Sequence, residues 1–264
     1  MQTARYTREE KLNKKIIQYA LFLCFLGLNG CASSAQNQTD ERALEKYNHA
    51  MFKFNRVVEK GVIRPVAKGY RKITNGYVRQ RVTDFFNNVA EPVSMANHIL
   101  QGELKDSGQN LARFMVNTTI GGLGLYDVAA KAGLEQKNTG FDETLAAWCV
   151  PDGPYIVLPI LGPSTPRAAT GWVADAYSSP SYWIAKESGD DNKEVIYYGT
   201  AALKYLNKYA ENLKFIEGME ESSLDYYETV RSAYMQNRTK IKVCGIKQGE
   251  ALPSYDFDMD MDED

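Results

Sequence analysis

Few side chains in this sequence are placed to do chemistry. It holds two histidines, His49 and His98, with no G-x-S-x-G elbow, H-E-x-x-H pair or C-x-x-C around them. A histidine without such company is more often structural than catalytic, so the sequence predicts neither an enzyme nor a cofactor. Gly121-Gly122-Leu123-Gly124 lacks the third glycine of a dinucleotide loop and follows no clear strand, which leaves a tight turn between helices. Asp256, Asp258, Asp260 and Asp262 alternate like calcium ligands. An EF-hand loop also needs a glycine at its sixth position and a glutamate at its twelfth, and neither is present, so no metal site is predicted.

Cys31 is different. A polar segment with Arg5, Arg8, Lys11, Lys14 and Lys15 leads into the apolar run Ile16 to Leu28, which stops at Asn29-Gly30-Cys31. Residues 1–30 therefore read as a signal peptide and not as a membrane span. Leu28-Asn29-Gly30-Cys31 resembles a lipobox, with an aliphatic residue at −3 and a small one at −1, although Asn29 stands where Ala, Ser or Thr is usual. The competing reading is an ordinary thiol after an ordinary leader. As the lipidation site, Cys31 would carry three acyl chains, and at ~0.8 kcal/mol per buried methylene these make a permanent anchor. Ala32 in place of Asp directs such a protein to the outer membrane of a Gram-negative cell, on its periplasmic face. Nucleic acid is excluded by that compartment. Cys149 and Cys244 then remain in oxidising surroundings, where a disulfide is permitted but not fixed by sequence.

The charges are unevenly spread. Residues 250–264 carry seven acids and no base and are expected to be disordered, whereas Arg42 to Arg81 holds eleven Lys/Arg against Glu45 and Glu59. Beside a lipid anchor, that basic stretch suits anionic headgroups at about 1 kcal/mol per charge; a solvated basic face is the alternative. Residues 31–39 read as a flexible tether, and 40–249 as one helical domain.

Helical spacing dominates that domain. Leu44, Tyr47, Met51, Phe54 and Val58 form an apolar stripe on a helix expected to end at Gly61, with Pro65 opening the next. Periodicity continues past Pro92, taken as a first-turn residue, to Ile120. Asp127 and Thr165 look like helix caps, and Tyr155 to Leu161 suits a short strand or a buried loop. Gly189 to Asn192 marks a turn, and Lys193 to Glu217 and Glu220 to Ile241 are expected to pair as a helical hairpin through Gly218.

Between Leu111 and Ala176 the chain is too apolar for a surface loop. Gly121, Gly122, Gly124, Gly153 and Gly162, with Pro151, Pro154, Pro159, Pro163 and Pro166, break it too often for a spanning helix of about 20 residues. It is either a core interrupted by turns or a surface that meets lipid.

Several segments together resemble one family: YNHAMFKFNRVV at 47–58, RPVAKGYRKI at 64–73, FFNNVAEPVSMANHILQG at 85–102, RFMVNTTIGGLGLYDVA at 113–129 and GPYIVLPILGPSTPR at 153–167. They are similar to the MlaA (VacJ) outer-membrane lipoproteins over nearly all of the mature chain. The resemblance implies an all-α ring or disc of short amphipathic helices in one leaflet, with an amphipathic channel that removes phospholipids misplaced in the outer leaflet. The implied partners are trimeric porins and a soluble periplasmic lipid carrier. Phe114, Met115, Ile120, Gly121, Gly122, Leu123, Gly124 and Leu125 would line the lipid path, together with Tyr155, Ile156, Val157, Leu158, Pro159, Ile160 and Leu161. Asn48, Met51, Phe52, Phe54 and Asn55 would gate it. Cys149 and Pro151 depart from the family, which tends to have glycines there. The alternative is a porin-associated structural lipoprotein that moves no lipid.

Overall fold

The computed structural model describes residues 37–187, 193–244 and 246–247. The leader, Cys31, most of the tether, the expected turn at 189–192 and the acidic tail lie outside the described residues. The described fold is predominantly helical, as expected.

Helix α1, Asn37–Val58, does not stop at Gly61. It runs through a π-helical stretch, Glu59–Ile63, into α2, Arg64–Ile73. The flanking residues Val58 and Ile63 keep right-handed helical backbone angles. Pro65 has no N–H, and its ring crowds the carbonyl four residues back. The wider π turn just before it gives that carbonyl room, so the apparent break becomes a local bulge.

Helix α3, Gly76–Leu100, starts at Asn75, whose side chain accepts from Val78 N at 2.9 Å. Pro92 lies inside this helix and opens no new one. The lost hydrogen bond is tolerated because side chains on both sides of Pro92, Asn88 and Ser94, are bonded to neighbouring segments. The break falls instead at Gly102, whose φ of 77° is left-handed. There Glu103 N bonds back to His98 O at 2.8 Å, closing the helix end. Helix α4, Leu104–Thr119, then returns against α3.

Asp127 caps the single-turn α5, Val128–Lys131, by accepting from Ala130 N at 3.0 Å. Helix α6, Phe141–Ala147, precedes a β-hairpin, β1 Ile156–Leu158 and β2 Gly162–Ser164, paired Ile156 to Ser164 and Leu158 to Gly162. Thr165 caps α7, Pro166–Ser178, as its sequence announces. Gly171 brings α7 against α6: a Cβ there would overlap the backbone of Asp142. Helix α8, Pro180–Glu187, follows.

Helix α9 is longer than expected, Lys193–Ser222, and carries Gly218 in its interior. A single helical glycine costs only about 1 kcal/mol. Glu217 and Glu220, on either side of it, are held by Lys68 and by Arg56, Lys60 and Arg64. The turn comes at Ser223 to Asp225, and Asp225 caps α10, Tyr226–Arg238. The expected hairpin of α9 and α10 gives way to other partners: α9 packs on α2, α3 and α8, and α10 on the β-hairpin. A short pair, β3 Lys242–Val243 and β4 Ile246–Lys247, follows, and Cys244 is disulfide-bonded to Cys149 with a Cα separation of 4.7 Å.

A polar interior with an apolar outer face

In α3 and α4 the residues spaced by three and four that turn inward are polar. The buried positions are Asp84, Asn88, Glu91, Ser94, Asn97 and His98 on α3, and Ser107, Asn110, Arg113 and Asn117 on α4. Several apolar positions look outward: Leu104 is 70% exposed, Met115 58% and, just beyond α4, Ile120 73%, while others such as Val89, Val93 and Phe114 are half-buried.

Such an interior holds only if its polar groups satisfy one another. Arg113, 1% exposed, donates from Nε to Glu91 Oε1 at 2.8 Å, from Nη2 to Asp127 Oδ2 at 2.9 Å and from Nη1 to the Leu134 carbonyl. Asn117 donates to Asp127 Oδ1 at 3.0 Å and accepts from Ala129 N at 2.9 Å, so α4 carries the α5 turn on side-chain bonds. Burial pushes the Glu91 carboxyl above its ordinary range despite the Arg113 guanidinium. Burial also acts to raise Asp127, but Arg113, the Ala130 N–H and the Asn117 amide outweigh it and hold that carboxyl low.

The polar chain continues through Thr144 Oγ1, which donates to Asn97 Oδ1 at 2.7 Å, and Asn97 Nδ2, 3.3 Å from Asp175 Oδ1. A second buried group joins α6, α7 and α10. There Asp142 meets Arg167 at 2.9 Å and also Arg238, and Thr165 Oγ1 donates to Asp152 at 2.9 Å. Burial works to raise Asp142, yet the two guanidinium groups keep it below the usual carboxylate range.

The glycine turn after α4 is shaped for exposure. Gly121 and Gly124 are buried, and a Cβ on Gly124, at φ 88°, would lie 2.5 Å from the Asn88 side chain. Leu123 has φ 60° and is 69% exposed, and Ile160 at the β-hairpin tip has φ 66° and is 58% exposed. Left-handed backbone is rare for leucine and rarer for a β-branched residue. In both turns it presents an apolar side chain outward.

The residues expected to line a lipid path divide accordingly. Met115, Ile120, Leu123, Leu125, Ile160 and Leu161 are exposed apolar groups. Gly122 and Pro159 are exposed beside them, while Phe114, Ile156 and Leu158 are half-buried. Phe114 borders an apolar cavity of about 110 Å³ between α3 and α4, with Pro92, Met95 and Leu111. Tyr155 and Val157 point into the core against Tyr227, with Met51, Phe52 and Tyr234 around them.

The expected gating segment holds a contact that its apolar stripe conceals. Asn48, 1% exposed, donates to Tyr155 O at 3.1 Å and accepts from Val157 N at 2.8 Å. Asn55, two helical turns along the same face, donates to Leu158 O at 2.8 Å and accepts from Ile160 N at 2.6 Å. Two asparagine amides thus replace a neighbouring strand and hold the hairpin backbone to α1. Phe52 packs beside them against Tyr227, with ring centroids 5.2 Å apart, while Phe54 is 46% exposed. The i,i+7 pair of asparagines was the sequence signal for this clamp.

Part of the basic stretch is paired with groups of the protein itself, while Arg42, Lys46, Lys53 and Lys72 stay exposed. Arg56, Lys60, Arg64 and Lys68 meet Glu59, Glu217 and Glu220, and Arg71 donates to the Ala210 carbonyl at 3.1 Å.

Polar groups bonded to one another inside, with apolar groups facing out, define a helical protein suited to lipid on its outer face. No described helix is long and apolar enough to cross a membrane. The chain belongs to the MlaA lipoprotein family, whose model matches residues 40–241. It is 36% identical to the intermembrane phospholipid transport system lipoprotein MlaA of Haemophilus influenzae, over 86% of this chain and 90% of that one. A Rickettsia felis protein is also 36% identical, over 74% of this chain and 75% of its own. A solved structure described as the structural basis for maintenance of bacterial outer membrane lipid asymmetry matches with TM-score 0.64 and 32% identity, covering 74% of this chain and 95% of that one.

Proposed function

We propose that this protein is an outer-membrane lipoprotein, anchored through Cys31 at the periplasmic face, that removes mislocalised phospholipids from the outer leaflet and passes them to a soluble periplasmic carrier. The observation that carries this reading is the inverted helix pair α3 and α4, which suits a body lying within one leaflet. Acyl chains would follow Met115, Ile120, Leu123, Leu125, Ile160 and Leu161, with the glycine turn at Gly121, Gly122 and Gly124 letting the wall bend. Tyr155 and Val157 support that wall from behind. A headgroup moving beside protein avoids bare hydrocarbon, where a charge costs several kcal/mol. Transfer is passive, and direction comes from the partners: trimeric porins that hold the protein in place and the carrier that accepts lipid. Asn48 and Asn55 set the position of the β-hairpin, and with it the opening.

The test is the phospholipid content of the outer leaflet in a strain lacking this protein, complemented with wild type or with Cys31→Ala. Accumulation that wild type reverses and Cys31→Ala does not is expected. Normal asymmetry without the protein would contradict the reading and favour a porin-associated scaffold.

A further inference from the structure

We propose a transition-metal site, of the zinc class, at the turn between α3 and α4, made by His98, Glu103 and Asp106. Their ligand atoms all lie within 4.8 Å of one another. The acids alone would be unremarkable; the histidine is what points to a ligand. Its side chain is 5% exposed. Its Nε2 lies 3.2 Å from the Lys137 carbonyl, which also accepts from Asn110 Nδ2 at 2.9 Å. A carbonyl carries no hydrogen, so Nε2 is the donor, and Nδ1 is turned to the other side of the ring. There Nδ1 lies 2.9 Å from Glu103 Oε2, so the two groups hold either a shared proton or, in its place, a metal ion.

A backbone carbonyl fixing the far nitrogen is the arrangement that orients metal-binding histidines. One imidazole and two carboxylates, with a fourth position left to solvent, suit Zn²⁺; Ca²⁺ and Mg²⁺ prefer oxygen alone. The ammonium of Lys242, 3.5 Å from Glu103 Oε1, satisfies one carboxylate oxygen from outside and leaves Oε2 and Asp106 facing the histidine. A bound ion would fasten the α3–α4 turn, where Gly102 ends α3 and Glu103 begins α4.

The test uses the mature full-length lipoprotein in detergent, stripped by a chelator and titrated with Zn²⁺ against a chromophoric competitor. One tight equivalent per chain is expected, and it should survive removal of residues 250–264. His98→Ala should weaken it by at least about 100-fold, since changes one shell further out already cost 10- to 100-fold. Because His98 is buried, Asp106→Asn reads the site from its half-exposed side without disturbing the interior and should also weaken it. Co²⁺ in the wild type should give the visible absorption of a four-coordinate ion. The proposal is overturned if no tight equivalent is found, if it leaves with the acidic tail, or if both substitutions bind as well as wild type. A titration showing only a proton shared by His98 and Glu103 would overturn it too.

Discussion

Helices α3 and α4 and the pair α2 and α9 use the same three-and-four spacing to opposite ends. Between α2 and α9 the buried apolar residues are Ala67, Tyr209, Ala210 and Leu213, with Ile63, Tyr70, Leu206 and Ile216 packed around them and one buried amide, Asn207, accepting from Tyr70 Oη at 2.8 Å. Charge lies at the margin of that core, where Glu217 and Glu220 meet lysines and arginines. Between α3 and α4 the buried residues are Asn, Asp, Glu, Arg, Ser and His, and Leu104 and Met115 look away. One region hides apolar surface as a protein in water must. The other hides polar groups, which is favourable when the outside cannot hydrogen-bond.

The largest expected effect tests the inverted pair. Arg113→Ala leaves Glu91 buried without its counterion and should cost about 3–5 kcal/mol in denaturant unfolding of the detergent-solubilised protein. Replacing Glu91 and Arg113 together by Leu and Met should restore most of the loss. A single-variant cost under about 1 kcal/mol would mean that this interior does not depend on its charges.

The second comparison is direct. Leu213→Ala in the apolar core should cost about 2–5 kcal/mol, whereas Met115→Ala on the outer face should fall within about 0.5 kcal/mol in the same detergent. Equal costs would erase the distinction. A smaller effect is expected at the clamp: Asn55→Ala strips two hydrogen bonds from the hairpin and should cost about 1–3 kcal/mol, seen most clearly as faster hydrogen exchange at the Ile160 amide.

The smallest effect is in pH. Burial acts to raise Glu220, but hydrogen bonds from Arg56, Lys60 and Arg64 hold its pKa at about 2, well below the ordinary value. A carboxyl depressed on folding stabilises above its unfolded pKa and loses that contribution as pH falls through the folded one. The α2–α9 region should therefore lose stability between about pH 4.5 and 2, and Glu220→Gln should flatten that limb. Glu91 and Asp175, both raised first by burial, take up protons earlier and act in the opposite sense. An acid limb identical in Glu220→Gln and wild type would contradict the assignment.

Much of the fold is legible because caps and periodicity are local. Asp127 and Thr165 begin helices where their side chains can reach a free N–H, and the ambiguous run from Tyr155 does contain a strand. Breaks are less legible, because a Gly or Pro costs little when its neighbours are tied elsewhere. Gly61 and Pro65 are absorbed by a π turn, Pro92 by the bonded residues around it, and Gly218 by flanking glutamates held from α1, α2 and the π turn between them. The candidate site is the least legible part. Periodicity shows that α4 has two faces, but whether Met115 or Arg113 lies inside depends on whether the polar residues find partners in other segments. Glu91 lies on the next helix and Asp127 beyond the glycine turn. The Asn48 and Asn55 clamp was hidden likewise, since its partners are backbone atoms about a hundred residues away.

The central claim is that the outer face of α4 and its glycine turn meets lipid while the margin of α9 meets water. Spin labels introduced by Met115→Cys, Ile120→Cys and Lys214→Cys, with the protein in lipid bilayers, measure this directly through collision with oxygen and with a water-soluble nickel chelate. Labels at 115 and 120 should relax mainly by oxygen, which concentrates in hydrocarbon, and the label at 214 mainly by the chelate. Chelate-dominated relaxation at all three positions would contradict the account.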